Sequence, residues 1–228
     1  MTIQLIDELI KVCMVLLVVL TALVISRRNL ISLINTYALH SLVLSAIAFL
    51  FFLGEGANVF LYASILTIIT KLWLIPALLK RTQKIMKIYT DLEYHYLHPT
   101  SSIFLSLFIV IIVFLAFSGI KDDLGLDPFN YFGVVMGFSL VLIGFMIIFS
   151  RIKIITKTIG YLVMENGVVL LSFFVGEMPF LIEVMVLMDL LALVAITSIL
   201  GFGMNSSIEE FHKRLNPFRN WFKKVDEK

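Results

Sequence analysis

Three carboxylates, Glu165, Glu183 and Asp189, lie in a stretch from 160 to 200 that is otherwise apolar enough for two membrane-crossing helices joined at Gly176-Glu177-Met178-Pro179. An acidic side chain at the centre of a bilayer costs roughly 2.5–3.5 kcal/mol on insertion scales, so such residues point to proton or ion pathways. Two more ionisable side chains, His40 and Lys71, interrupt apolar runs nearer the N-terminus. At 1.5 Å per residue Lys71 lies about 18 Å below the outer helix end, too deep for its stem to snorkel easily to that surface. Acids, a lysine and a histidine all take up and release protons, and together they point to proton or cation movement. The plainer readings are a structural ion pair between Lys71 and one of the acids, and a neutral His40 bonded to a neighbouring helix.

Hydroxyl groups accompany these residues at helical spacing. Tyr161 and Ser172 fall on the face of Glu165, Thr67 lies four residues before Lys71, and Tyr37 three before His40. Such hydroxyls can also bond to their own backbone one turn back, so the stripe alone assigns no role. Glu183 and Asp189 are six residues apart, about 600° of helical rotation, and do not share a face. Glu183 is shallow and Asp189 near mid-membrane, which leaves them rivals as the partner of Glu165.

The elements that would hold these groups follow from composition. Of the 228 residues 60% are hydrophobic, with 20 Phe, and the mean hydropathy is +1.02, far above a soluble domain. With about 20 apolar residues needed per crossing, the runs at 5–25, 30–53, 59–79, 101–118, 129–150, 158–175 and 180–204 predict an all-α, polytopic membrane protein of about seven transmembrane helices. Pro76 predicts a local kink in the third. Fifteen of the 18 Lys and Arg follow helices 1, 3, 5 and 7, and the opposite loops carry Glu55, Asp122, Asp123, Asp127 and Glu177. By the bias of cations toward the cytoplasm, the N-terminus is expected outside and the C-terminus cytoplasmic, in the cell inner membrane. The net charge of +2 is a topology signal, and nucleic acid is not an expected partner. No cleavage site follows the first apolar run, so helix 1 is expected to remain. It carries no mid-membrane charge and reads as a packing or lipid-facing element.

The chain thus divides into a transmembrane bundle, 1–204, and a tail, 205–228. In the tail Ser206 and Ser207 precede Glu209 and Glu210 by three, a helix-starting pattern, with aromatic residues among the cations. It reads as a surface-lying amphipathic anchor or a docking helix. The long basic connection after helix 3 reads as an interfacial segment or docking surface. His95 and His98 there, beside Asp91 and Glu93, form too loose a spacing to assign a metal. The single Cys13 excludes a disulfide framework and cysteine ligation of a cluster, so no cofactor is expected on this chain. Gly133 and Gly137 permit close packing of helix 5. Stretches 5–79 and 129–204 can be overlaid as a duplicated three-helix unit, pairing Tyr37 and His40 with Tyr161 and Glu165, and Lys71 with Asp189.

The string Gly160-Tyr-Leu-Val-Met-Glu165-Asn-Gly-Val-Val-Leu170, with the helix around Asp189, resembles the small K subunit of respiratory complex I and the C subunit of multi-subunit cation/proton antiporters. Over nearly the whole chain the seven-helix plan, with Lys71 and Pro76, resembles hydrogenase-4 component E, a membrane subunit of group 4 hydrogenase and formate hydrogenlyase-like complexes. The resemblance implies a subunit that is not itself an enzyme, set between a redox module and antiporter-like channels. It implies a proton relay with Glu165 at the first glutamate position and Asp189, or Glu183, at the second. His40 and Lys71 stand where the first half departs from the family, and their place in a relay rests on burial. The partners expected are the other subunits of such an assembly and membrane lipid. The alternatives are a structural bridging subunit without ion conduction and a small ion or solute transporter.

Overall fold

A computed structural model describes residues 3–27, 29–86, 99–119, 125–151 and 154–175, together with 187, 189–192, 194, 196 and 198. The described chain is helical: α1 (Ile3–Ser26), α2 (Leu30–Glu55), α3 (Asn58–Thr67), a π-helical segment (Ile68–Leu74), α4 (Ile75–Met86), α5 (Pro99–Ser118), α6 (Pro128–Ser150) and α7 (Ile154–Val175). The α3, π and α4 segments run on as one rod, so that six of these helices are long and apolar enough to cross a membrane. The described residues of the seventh expected helix, including Asp189, are also helical. Glu183, the 176–179 turn, the 87–98 connection with His95 and His98, and the tail lie outside the described residues, as does much of the end of the second candidate repeat.

Local chemistry sets the ends. Asn29 caps α2, its side chain accepting from the Ile31 N–H at 3.0 Å, and Gly56 ends the helix at φ 72°, a left-handed conformation that glycine adopts without a Cβ penalty. Asp127 caps α6 with Pro128 in the first turn, where its missing N–H has no intrahelical partner to lose.

The third rod carries a feature that sequence spacing does not show. Just before Pro76, where a kink is expected, the backbone widens over Ile68–Leu74, with the Ile75 N–H bonded to the Thr70 carbonyl five residues back. Proline crowds the carbonyl four residues before it, and a wider turn is one way to make that room inside a helix. Along the widened segment Lys71 is fully buried, in step with Thr67 four residues before, while Ile68 and Ile69 are exposed.

Contacts show that the helices alternate in direction. At one end Phe51 of α2 stacks on Phe60 of α3 at 5.1 Å and meets Phe129 of α6 and Phe173 and Phe174 of α7 within 6.1 Å. At the other end Arg151, just after α6, donates to the Val24 and Ile25 carbonyls at the end of α1, at 3.3 and 2.7 Å, capping carbonyls that the helix leaves unpaired. The Arg151 end is the basic one, with Arg27, Lys80, Arg81 and Lys84 exposed; the phenylalanine end carries Glu55 and Asp127.

The tightest seam joins α6 to α7. Gly137 and Gly144 of α6 face the Leu171 and Met164 backbones, and Gly160 and Gly167 of α7 face Ile147, Ile148, Leu140 and Val141. A Cβ at Gly144 would sit 2.5 Å from Met164 Cα, and one at Gly167 2.6 Å from the Val141 nitrogen, so small residues here set the interhelical distance. Gly133, also expected at a packing face, meets the Phe174 ring.

Among the described residues two large apolar clusters fill most of the interior, with a small third one of Val113, Tyr131 and Val135 between α5 and α6. One, toward the phenylalanine end, includes Met14, Leu44, Phe51, Phe60 and Leu170. The other, toward the basic end, includes Val24, Ile34, Ile75, Leu79 and Ile159. The charged residues lie between them.

Candidate functional site

Five elements meet at mid-depth. The π-helical segment contributes Thr70 and Lys71, α7 contributes Glu165 and Asn166, α2 contributes His40 and Ser41, α1 contributes Thr21, and the helical residues beyond α7 contribute Asp189. Lys71 is the hub. Its ammonium lies 2.7 Å from Glu165 Oε1 and 3.6 Å from Asp189 Oδ1 and donates to Asn166 Oδ1 at 3.1 Å. Lys71, Glu165, Asn166 and His40 have no measurable solvent exposure, and Asp189 has 4%. Removing such charges from water is repaid only by close opposite charges and satisfied hydrogen bonds.

The satisfaction is partial. Glu165 Oε1 is close to Lys71 yet not aligned for a hydrogen bond, and among the described residues neither Glu165 Oε2 nor Asp189 Oδ1 has a hydrogen-bond partner. A single ammonium leaves one of two ionised acids without a matching charge. One proton would both neutralise the cluster and supply the missing donor.

Thr70 is the residue that sequence spacing missed. Its hydroxyl reaches Asp189 Oδ2 at 2.8 Å and its own Leu66 carbonyl at 2.9 Å, and one hydroxyl hydrogen cannot serve both acceptors fully. Counting back one regular turn from Lys71 selects Thr67, which is buried. By regular counting Thr70, three residues after Thr67, already borders the same face, and nothing in the sequence names its partner on the Asp189 helix. Thr70→Val is expected to lower stability by about 1–3 kcal/mol, because it removes the donor to a buried carboxylate oxygen. Thermal unfolding of the purified protein in detergent would show it; an unchanged transition would mean that Asp189 Oδ2 finds another donor.

The remaining sequence candidates are placed as follows. Tyr37 is fully buried beside Ser41, its hydroxyl unaligned with any partner. The Tyr161 hydroxyl is also buried and unpaired. Ser172 donates to its own Val169 carbonyl at 2.7 Å and does not join the cluster. His40 does not contact Lys71 or either acid by a direct hydrogen bond. Asn166 stands between them, its Nδ2 lying 3.0 Å from His40 Nδ1 and donating to Ser41 Oγ at 3.2 Å. Thr21, on the helix expected to serve only for packing or lipid contact, lies 3.2 Å from His40 Nε2. Among the described residues no three His, Cys, Asp or Glu side chains converge as metal ligands.

What the fold and site define together is a helical chain with several spans apolar enough for a bilayer and a charged layer sealed inside it. Neither a protein-family model, nor a curated protein, nor a solved structure matches the sequence.

Proposed function

We propose that this chain is a non-catalytic, multi-pass subunit of the cell inner membrane that relays protons through Lys71, Glu165 and Asp189. The observation that carries the reading is the charge count of the buried cluster among the described residues, two acids against one lysine, each acid within 3.6 Å of the ammonium. Such a cluster has one exchangeable proton's worth of imbalance, and its affinity for that proton changes whenever a neighbouring charge moves. The resemblance to hydrogenase-4 component E supplies the setting: a proton-translocating hydrogenase or complex I-like oxidoreductase, in which this subunit links a redox module to antiporter-like subunits. The basic end, with Arg27, Lys80, Arg81 and Lys84, then faces the cytoplasm, and a seventh span around Asp189 returns the chain to that side.

Glu165→Gln keeps the shape of the side chain and removes its ability to carry a proton. The assembled complex is expected to retain its composition and lose most of its coupled proton translocation, measured by dye quenching in inverted membrane vesicles. Full translocation in an intact complex would remove Glu165 from the relay.

A second reading has support from the same residues. Lys71 ties its own helix to α7 and to the Asp189 helix, and through Asn166 to α2, so the cluster also suits a brace in a bridging subunit that conducts nothing. On that reading Glu165→Gln depletes the complex from membranes, because it removes one charge of a buried set.

A further inference from the structure

The polar layer has two arms, and the hydrogen bonds give one of them a fixed direction. Lys71 has only donors, so the Asn166 atom that meets it is the carbonyl oxygen, and Nδ2 must face His40 and Ser41. Thr21 donates its hydroxyl hydrogen to the Leu17 carbonyl at 2.9 Å, leaving its oxygen to accept from His40 Nε2. His40 is therefore the neutral Nε2–H tautomer, its Nδ1 accepting from Asn166. Every bond points away from Lys71: ammonium to amide oxygen, amide nitrogen to imidazole, imidazole to hydroxyl, hydroxyl to the backbone of α1.

We infer that Asn166 is the positioning residue of the charged site, anchoring Lys71 between Glu165 and Asp189 while closing the His40 arm to protons. This rests on the relay reading for its functional meaning, but the hydrogen-bond assignment stands independently. An amide has no labile proton to hand on and no readily protonated nitrogen, so a proton arriving at Lys71 stops at Asn166. Beyond it, an imidazolium would have no acceptor for the Asn166 N–H and would add a second cation to the layer. The arm ends on a helix carbonyl, which is not a proton carrier. Its role is mechanical: Thr21 sets the ring of His40, His40 and Ser41 hold the Asn166 amide, and the amide oxygen holds Lys71. The conducting arm is the other one, through Glu165, Asp189 and Thr70.

Ring nitrogens report this directly. The full chain is prepared with 15N-labelled histidine in lipid nanodiscs, and His40 is distinguished from the other three of its four histidines by its loss in His40→Gln. Among the described residues Lys71 is the charged group that acts on the ring, and Glu165 and Asp189 lie within 3.6 Å of its ammonium. In the wild type Nδ1 is expected to resonate as an unprotonated nitrogen and Nε2 as a protonated one, unchanged from pH 5 to 9. In Asn166→Asp the donor facing Nδ1 is lost, and the proton is expected to move to Nδ1. A wild-type His40 that titrates in that range, or that carries its proton on Nδ1, overturns the inference. So does an Asn166→Asp protein whose His40 signals do not change; if that variant does not fold, the wild-type measurement still decides. Failure of the relay reading looks different: Glu165→Gln translocates at the full rate while His40 keeps its tautomer.

Discussion

Lys71→Met is expected to destabilise the folded chain by about 3–5 kcal/mol, the usual consequence of stripping one partner from a buried ion set. Glu165 Oε1 would lose the ammonium at 2.7 Å and Asp189 the one at 3.6 Å, and Glu165 Oε2 and Asp189 Oδ1 have no donor in reserve. Both acids must then be protonated, or water must enter between the two apolar clusters. Replacing the whole set by apolar side chains, Lys71→Met with Glu165→Met and Asp189→Leu, should recover most of the loss, since well-packed hydrophobic residues of similar volume often substitute for a buried ion set without penalty. Thermal unfolding in detergent separates the cases, and a single variant as stable as the wild type would mean that the lysine does not hold the acids. The triple variant also divides the two functional readings: a stable, assembled complex without proton translocation supports the relay, whereas assembly with full translocation leaves only the brace.

Gly144→Ala is the second large effect. The new methyl group would meet Met164 Cα and nitrogen at 2.5 Å and Cβ at 2.6 Å, and backbone atoms cannot rotate away. The α6–α7 seam must open, at about 1–3 kcal/mol for overpacking. Trimming the neighbour with Met164→Ala should not rescue it, because the clash includes the main chain. Gly54→Ala, where the added carbon meets only Ile6 side-chain atoms at 3.6 and 3.9 Å, is the control and should change the unfolding transition by no more than about 0.5 kcal/mol. The variant reaches the site as well, since Met164 immediately precedes Glu165 and Asn166. A displaced α7 would lengthen both bonds to Lys71, so the loss of stability should exceed that of an equally tight seam elsewhere.

Hydropathy made the helical spans legible from residue types alone, with ends within a few residues of those observed: 30–53 expected against Leu30–Glu55, 129–150 against Pro128–Ser150. The third rod was expected to end at 79 and continues to Met86, because its last turns are amphipathic and a hydropathy window stops where cations begin. The ionisable residues were legible for a similar reason, since a charge in an apolar run stands out. What sequence could not give was their grouping. Asn166 is uncharged and looks like a neighbour of Glu165, yet it faces Lys71, His40 and Ser41 together. Thr21 carries no signal on a helix of Leu and Val. Thr70 borders the Thr67–Lys71 face, but its partner Asp189 is 119 residues away. Gly137 and Gly144 on α6, and Gly160 and Gly167 on α7, are each spaced seven residues apart, a pattern that means little until the facing helix is known.

The position of the charged layer between the two apolar clusters has an electrical meaning. In an energised membrane a unit charge that crosses the full bilayer moves through about 2.3 kcal/mol per 100 mV. Both acids lie within 3.6 Å of Lys71, against a hydrocarbon thickness of about 30 Å. On the relay reading, a proton passed among the three stays near one level of the voltage drop. The transfer is then close to electrically silent, and the work against the membrane potential falls to whatever lies above and below it.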